Sequence, residues 1–223
     1  MYWPPGKNPL AIPHTSDSPW LQVLGGVAFD LVNPRAELVD FNTVARVLSR
    51  VARFGGHTER GTLSVAQHCL EGSEAILRDH GDRLAAAAFL IHDAHEAYIG
   101  DMPTPVRDAL CACADELLNW DGRNPVRGAI KLLKERLDGA IYPAAGLPWP
   151  LPQVVSARVS EYDERMCNTE RLARLAPSPR PWPMFDDLAP VAGVDTHAWS
   201  EGTIRSLYVN ACRMLLPTCG GSL

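Results

Sequence analysis

The sequence predicts an all-α fold, a helical bundle with irregular Pro-rich extensions at its two ends. Three observations lead there. Apolar residues recur at three- and four-residue steps in several segments between 42 and 215, the period of a helix with one buried face. Gly, Pro, Asn and Asp clusters separate those segments at helix-length intervals. The central region holds no convincing strand run and no internal repeat.

In chain order, residues 1 to about 40 carry Pro4, Pro5, Pro9, Pro13, Pro19 and Pro34 with Gly25 and Gly26. They predict an irregular extension packed on the core, with a short hairpin around Val23 to Leu31, and the main domain is expected to occupy residues 41–223. Asn42 is placed to cap a first helix with Val44, Val47, Leu48 and Val51 on its apolar side, stopped by Gly55-Gly56. A second helix is expected from about Ser64 to Asp79, followed by a turn at His80-Gly81-Asp82. A third is expected from about Arg83 to Tyr98, ended by Gly100. Helices over 104–120 and 125–140 are separated near Asp121-Gly122-Arg123-Asn124-Pro125. The stretch AAGLPWPLP leads into a long helix from about Gln153 to Leu175, APSPRPWPMF reads as loop, and a last helix spans Thr203 to Leu215.

Composition narrows the function classes. Hydrophobic residues make up 46% and charged residues 21% of the 223, as in an ordinary globular protein. A net charge of −5 gives no broad basic surface for a nucleic-acid polymer, so an anionic substrate would need a local positive cluster. The start MYWPPGKNPL lacks the basic and apolar regions of a signal peptide, and the apolar stretch Leu84 to Ile91 is too short for a bilayer. Cysteines 69, 111, 113, 167, 212 and 219 form no C-x-x-C pair and read as free thiols. Together these predict a cytoplasmic protein without a membrane partner.

The chemistry-bearing residues stand out by position. Leu84 to Ile91 is apolar on every face, as in a centrally buried helix, and His92-Asp93 continues it directly. A carboxylate there is costly to bury unless paired or metal-bound, although a helix end emerging into solvent would look the same. Asp163 falls on the stripe formed by Val155, Val159, Met166 and Ala173, where Arg158 or Arg165 would be its local alternative partners. His68 and His92 lie equally far from His80, inside the expected turn, so two antiparallel helices would bring them side by side. Two imidazoles and two carboxylates suit one divalent ion such as Mn²⁺, Co²⁺, Fe²⁺ or Zn²⁺.

The stretches RFGGH at 53–57, SVAQH at 64–68, HDAHEAYIGDMPTPVR at 92–107 and YDERMCNTE at 162–170 resemble the HD-domain metal-dependent phosphohydrolases, in their 5′-deoxynucleotidase-like branch. That branch includes phage enzymes that hydrolyse dATP, and the resemblance covers roughly residues 25–176. It implies His68, His92, Asp93 and Asp163 as ligands of one divalent metal, with Glu96 and Asp101 as a catalytic acidic pair. It implies phosphate contacts from Arg53 and Arg107, with Phe54 packing on sugar or base where relatives often have tryptophan. His95 replaces a small residue of the pattern and is expected beside the ligands or facing solvent, with a fifth-ligand role as the alternative; Glu170 is expected as a buried hydrogen-bond partner. The resemblance also implies a homo-oligomer.

The expected activity is hydrolysis of a deoxynucleoside 5′-monophosphate to deoxynucleoside and phosphate. The alternatives are a dNTP triphosphohydrolase of dATP type, which would use the same ligands, a cyclic-nucleotide or alarmone hydrolase, and a non-catalytic nucleotide-sensing module. Loss of a ligand or of Glu96 would favour the last, and all are present.

Overall fold

In the computed structural model, which describes residues 18–118, 124–185 and 187–221, the chain is all-α in class, with one two-stranded hairpin near its start. Strands β1 (Trp20–Val23) and β2 (Val27–Asp30) pair antiparallel across Gly25-Gly26, both at positive φ. Phe29 anchors this hairpin: it is fully buried and stacks on Tyr98 with ring centroids 4.1 Å apart. The described part of the N-terminal extension therefore packs on the core; Pro4, Pro5, Pro9 and Pro13 lie outside the described residues.

Side-chain caps set the helix starts. The first helix, α1 (Phe41–Leu48), is capped by Asp40, whose carboxylate accepts from the backbone N–H groups of Asn42 and Thr43. This corrects the expectation that Asn42 is the cap: Asn42 is already inside the first turn, where its own N–H needs an acceptor. Helix α2 (Val65–His80) is capped by Ser64 and closed by Gly81 in the left-handed conformation, as the His80-Gly81-Asp82 turn predicts. Asp82 then caps α3 (Arg83–Ile91), accepting from Ala85 N–H, and its other oxygen takes a 2.6 Å bond from Arg158.

The third helix is shorter than expected. It stops at Ile91, and tight three-residue backbone bonds follow from Ala94 N–H to Ile91 O and from Glu96 N–H to Asp93 O. A short α4 (Glu96–Ile99) then ends at Gly100. The interruption falls on the HD dipeptide because two carbonyls at the end of α3 find side-chain donors. Phe89 O accepts from His92 Nδ1 at 2.7 Å and Leu90 O from the Tyr208 hydroxyl at 2.6 Å.

Four longer helices complete the domain: α5 (Thr104–Leu118), α6 (Pro125–Ala145), α7 (Gln153–Arg174) and α8 (Glu201–Leu215). Asn124 caps α6; Asp121, Gly122 and Arg123 of the expected break lie outside the described residues. Helix α3 is central, packed by α2, α6, α7 and α8, and Ala85 through Ile91 have no exposed surface. The Ala85–Ala88 run and Gly72 make that closeness feasible. A Cβ at Gly72 would lie 2.2 Å from the Phe89 ring. No helix among the described residues is long and apolar enough to cross a membrane. All six cysteines are free thiols.

Candidate metal centre

The α2–α3 hairpin brings His68 and His92 together, with ring centroids 5.3 Å apart and the Phe89 ring against both. Helix α7 adds Asp163: its Oδ1 lies 3.2 Å from His68 Nε2 and 3.6 Å from His92 Nε2. Asp93 Oδ2 stands 3.3 Å from His92 Nε2. One donor atom from each of His68, His92, Asp93 and Asp163 lies within 4.8 Å of every other. Neither Arg158 nor Arg165 takes Asp163: Arg158 pairs with Asp82, and Arg165 with Glu161. Asp163 is also more open than its place on the apolar stripe predicts, with 44% of its side chain accessible, so it forms the rim of the cluster.

Hydrogen bonding fixes the direction of each imidazole. His68 Nδ1 bonds Glu170 Oε1 at 2.8 Å, and His92 Nδ1 bonds the Phe89 carbonyl. A carbonyl oxygen only accepts, so His92 Nδ1 carries the proton there; the carboxylate imposes the same on His68. Both Nε2 atoms are buried without a hydrogen-bond partner and face two carboxylates. Lone pairs held against carboxylates require a positive charge between them. Burial opposes protonation of His92, and Asp93 with Asp163 outweighs it, holding this imidazole well above its ordinary value. Burial acts to raise Asp163, and the two imidazoles beside it hold its carboxyl well below the usual range. The same field favours a cation, to which the cluster offers both nitrogen and oxygen donors. The cluster can therefore hold a metal ion.

Around the donors, Arg53 is buried with Nε 3.1 Å from Glu170 Oε2 and Nη1 3.5 Å from Asp93 Oδ2. Its loop is clamped to the start of α2 by backbone bonds from Arg53 N–H to Leu63 O and from Val65 N–H to Val51 O. Phe54 adopts φ 56°, an uncommon conformation for a residue with a Cβ, which turns the chain immediately after Arg53. Glu170 thus orients a histidine and an arginine at once, as the buried partner expected of it. Glu96 is almost wholly buried, with Oε2 lacking any hydrogen-bond partner. Burial, then the charges of Asp93 and Asp101, push its carboxyl up to about 9. Asp101, half-buried after Gly100, is raised by burial and Asp93 against the pull of Arg53 and Lys134.

Several expectations change here. Glu96 does not continue α3: it follows a tight turn in which its N–H bonds Asp93 O at 2.9 Å. His95 does not face solvent: it is buried, with Nδ1 3.0 Å from Asp138 Oδ1. Arg107 is on α5 with Nε 3.6 Å from Asp108, and no described contact ties it to the four donors. Two residues of α6 were missed. Lys134 acts electrostatically on both Glu96 and Asp101, and Asp138 holds His95. Their signal was present: 134 and 138 share helical spacing with the buried Leu137 and Ile141, so two charges lie on an inward face.

The chain is 32% identical over 148 residues to the uncharacterized protein RCAP_rcc00048 of Rhodobacter capsulatus, covering 65% of this chain and 67% of that protein. The chain belongs to that protein's family. The chain is also similar to the uncharacterized protein YfdR of Escherichia coli, 32% identical over 130 residues. That match covers 58% of each chain, so this sequence spans less than two thirds of the Escherichia coli relative. No family model matches the sequence. Both relatives are named as uncharacterized, so within this family function has to be argued from the chemistry of the site.

Proposed function

We propose that the chain is an HD-type metal-dependent phosphohydrolase that converts a deoxynucleoside 5′-monophosphate to deoxynucleoside and phosphate. One observation carries the reading: two buried imidazole Nε2 atoms without partners face Asp93 and Asp163, with a buried arginine and a carboxyl pair alongside. The deoxynucleotide part rests on the motif resemblance of RFGGH, SVAQH and HDAHEAYIGDMPTPVR.

His68, His92, Asp93 and Asp163 would hold the ion. When bound, such an ion polarises a phosphoryl oxygen and makes a bound water far more acidic, from a pKa of about 15.7 towards roughly 7. The protein's own groups do the rest. Arg53 spends two of its donors on Glu170 and Asp93, which fix the guanidinium plane, and its remaining N–H groups meet the charge developing on the phosphoryl oxygens. Lys134 adds a second positive charge on the side of Glu96 and Asp101. Glu96 Oε2, buried and unbonded, is suited to hold the proton delivered to the leaving oxygen, and the more open Asp101 to take one from water. Burial of Glu170, His68 and Arg53 means that this frame is rigid before substrate arrives.

The test is a panel of dNMPs, NMPs and dNTPs with Co²⁺, Mn²⁺ and Zn²⁺, with products identified. Phosphate from dAMP is expected, with loss of at least about 100-fold in His92→Ala and Asp93→Ala. Inorganic triphosphate from dATP as the main product would overturn the monophosphate assignment. Undiminished hydrolysis in both variants would remove the metal centre from the reaction.

A further inference from the structure

We propose that Asp93, His95 and Glu96 form a second divalent-cation site, joined to the first through the Asp93 carboxylate. One donor atom from each of the three lies within 4.8 Å of the others. Two of these side chains are deeply buried, His95 at 5% and Glu96 at 4% exposure. His95 Nε2 and Glu96 Oε2 are each buried with no hydrogen-bond partner, so they bond neither each other nor anything else. Two buried orphaned polar atoms of this kind cost several kcal/mol together by the usual penalty of roughly 1–3 kcal/mol each, unless a ligand takes them up.

His95 is moreover held as a ligand would be. Its Nδ1 is 3.0 Å from Asp138 Oδ1, an arrangement that puts the proton on Nδ1 and leaves the buried Nε2 lone pair free. Asp93 Oδ2 faces His92 and Arg53, which leaves its other oxygen for a neighbouring ion. Charge points the same way. Asp93, Glu96, Asp101 and Asp138 gather here against the two positive charges of Arg53 and Lys134, and a dication would balance the remainder. An imidazole with two carboxylates selects Mn²⁺, Co²⁺, Fe²⁺ or Zn²⁺ over Mg²⁺ or Ca²⁺. The inference rests on the first cluster holding a cation, but not on the identity of the substrate. With the second ion in place Glu96 serves as a ligand, and Asp101 alone is left to exchange protons with the reacting oxygens.

The experiment uses the full chain, stripped of metal and reloaded with Mn²⁺, with bound ion counted by equilibrium dialysis and the spin state read by low-temperature electron paramagnetic resonance. Wild type is expected to bind two Mn²⁺ per chain with the spectrum of a coupled pair. His95→Asn is expected to bind one, with an uncoupled spectrum. Asp138→Asn preserves packing, and is expected to keep two sites with the second weakened about 10- to 100-fold. One ion in both wild type and His95→Asn would overturn the second site and leave the first standing. No ion in wild type would overturn both. Should His95→Asn fail to fold, Asp138→Asn decides: an unchanged second affinity would overturn the proposal.

Discussion

Gly72→Ala is expected to destabilise the protein and to loosen the metal centre. On an ordinary helix the same change is favourable, since Ala exceeds Gly by about 0.8–1.0 kcal/mol in helix propensity. Here the new methyl would lie 2.2 Å from Phe89 Cε1, 2.5 Å from Cζ and 2.9 Å from Cδ1. Carbon atoms settle at about 3.5–4.0 Å, so the ring would have to retreat by about 1.3 Å. Phe89 has no exposed surface and lies against both histidine rings, so it has nowhere free to move. Overpacking of this kind costs about 1–3 kcal/mol, and a 1.3 Å displacement in a closed core belongs at the upper end of that range. Subtracting the propensity gain leaves a net loss of about 2 kcal/mol. Urea unfolding of metal-free protein measures it, and a Mn²⁺ titration of the folded variant should show weaker binding because the displaced ring presses on His68 and His92. A variant more stable than wild type by about 1 kcal/mol would refute the close-approach reasoning, since that is the result for a glycine with room around it.

Replacing Glu170 by Gln should cost about 3 kcal/mol, because buried Arg53 loses its 3.1 Å partner, and should weaken the first metal site about 10- to 100-fold as His68 loses its orienting carboxylate. Unchanged Mn²⁺ affinity in a folded Glu170→Gln protein would show that Glu170 does not position His68. Glu71 supplies a pH test away from the cluster. Burial raises its carboxyl from the ordinary 4.5 to about 7, against a backbone N–H bond from Asp195 and with the charges of Glu74 and Asp195 adding to the rise. The folded state then binds the proton more tightly than the unfolded state, so stability is lost as pH climbs from about 4.5 through 7. Glu71→Gln should match wild type near pH 4.5 and exceed it by about 1–2 kcal/mol at pH 8, after allowance for partial solvent contact. Equal stability at both pH values, measured with chelator present, would contradict the burial of that charge.

Much of this molecule was legible in local signals. The turn at His80-Gly81-Asp82 and the capping residue Ser64 set the α2–α3 hairpin, and the all-apolar run before His92 marked α3 as central. Equal distances from His80 to His68 and His92 were enough to pair the rings. The cap of α1 was misread by two residues because Asp40 and Asn42 are both good caps, and only the backbone path decides whose side chain meets the free N–H groups. The end of α3 was misread for a longer-range reason. His92 and Tyr208 satisfy its last carbonyls, and Tyr208 is 118 positions from Leu90.

The sequence by itself determined the all-α class, the four donors and Arg53, because each follows from helical period, turn chemistry or motif within a short window. Only the tertiary structure decided how the neighbours act on them. Glu170 serves His68 and Arg53 together, Asp138 turns His95 inward, and Lys134 reaches the Glu96–Asp101 pair. Those relations join residues from tens to more than a hundred positions apart. Their energies depend on burial and distance, which a periodic pattern does not encode until the helices are packed.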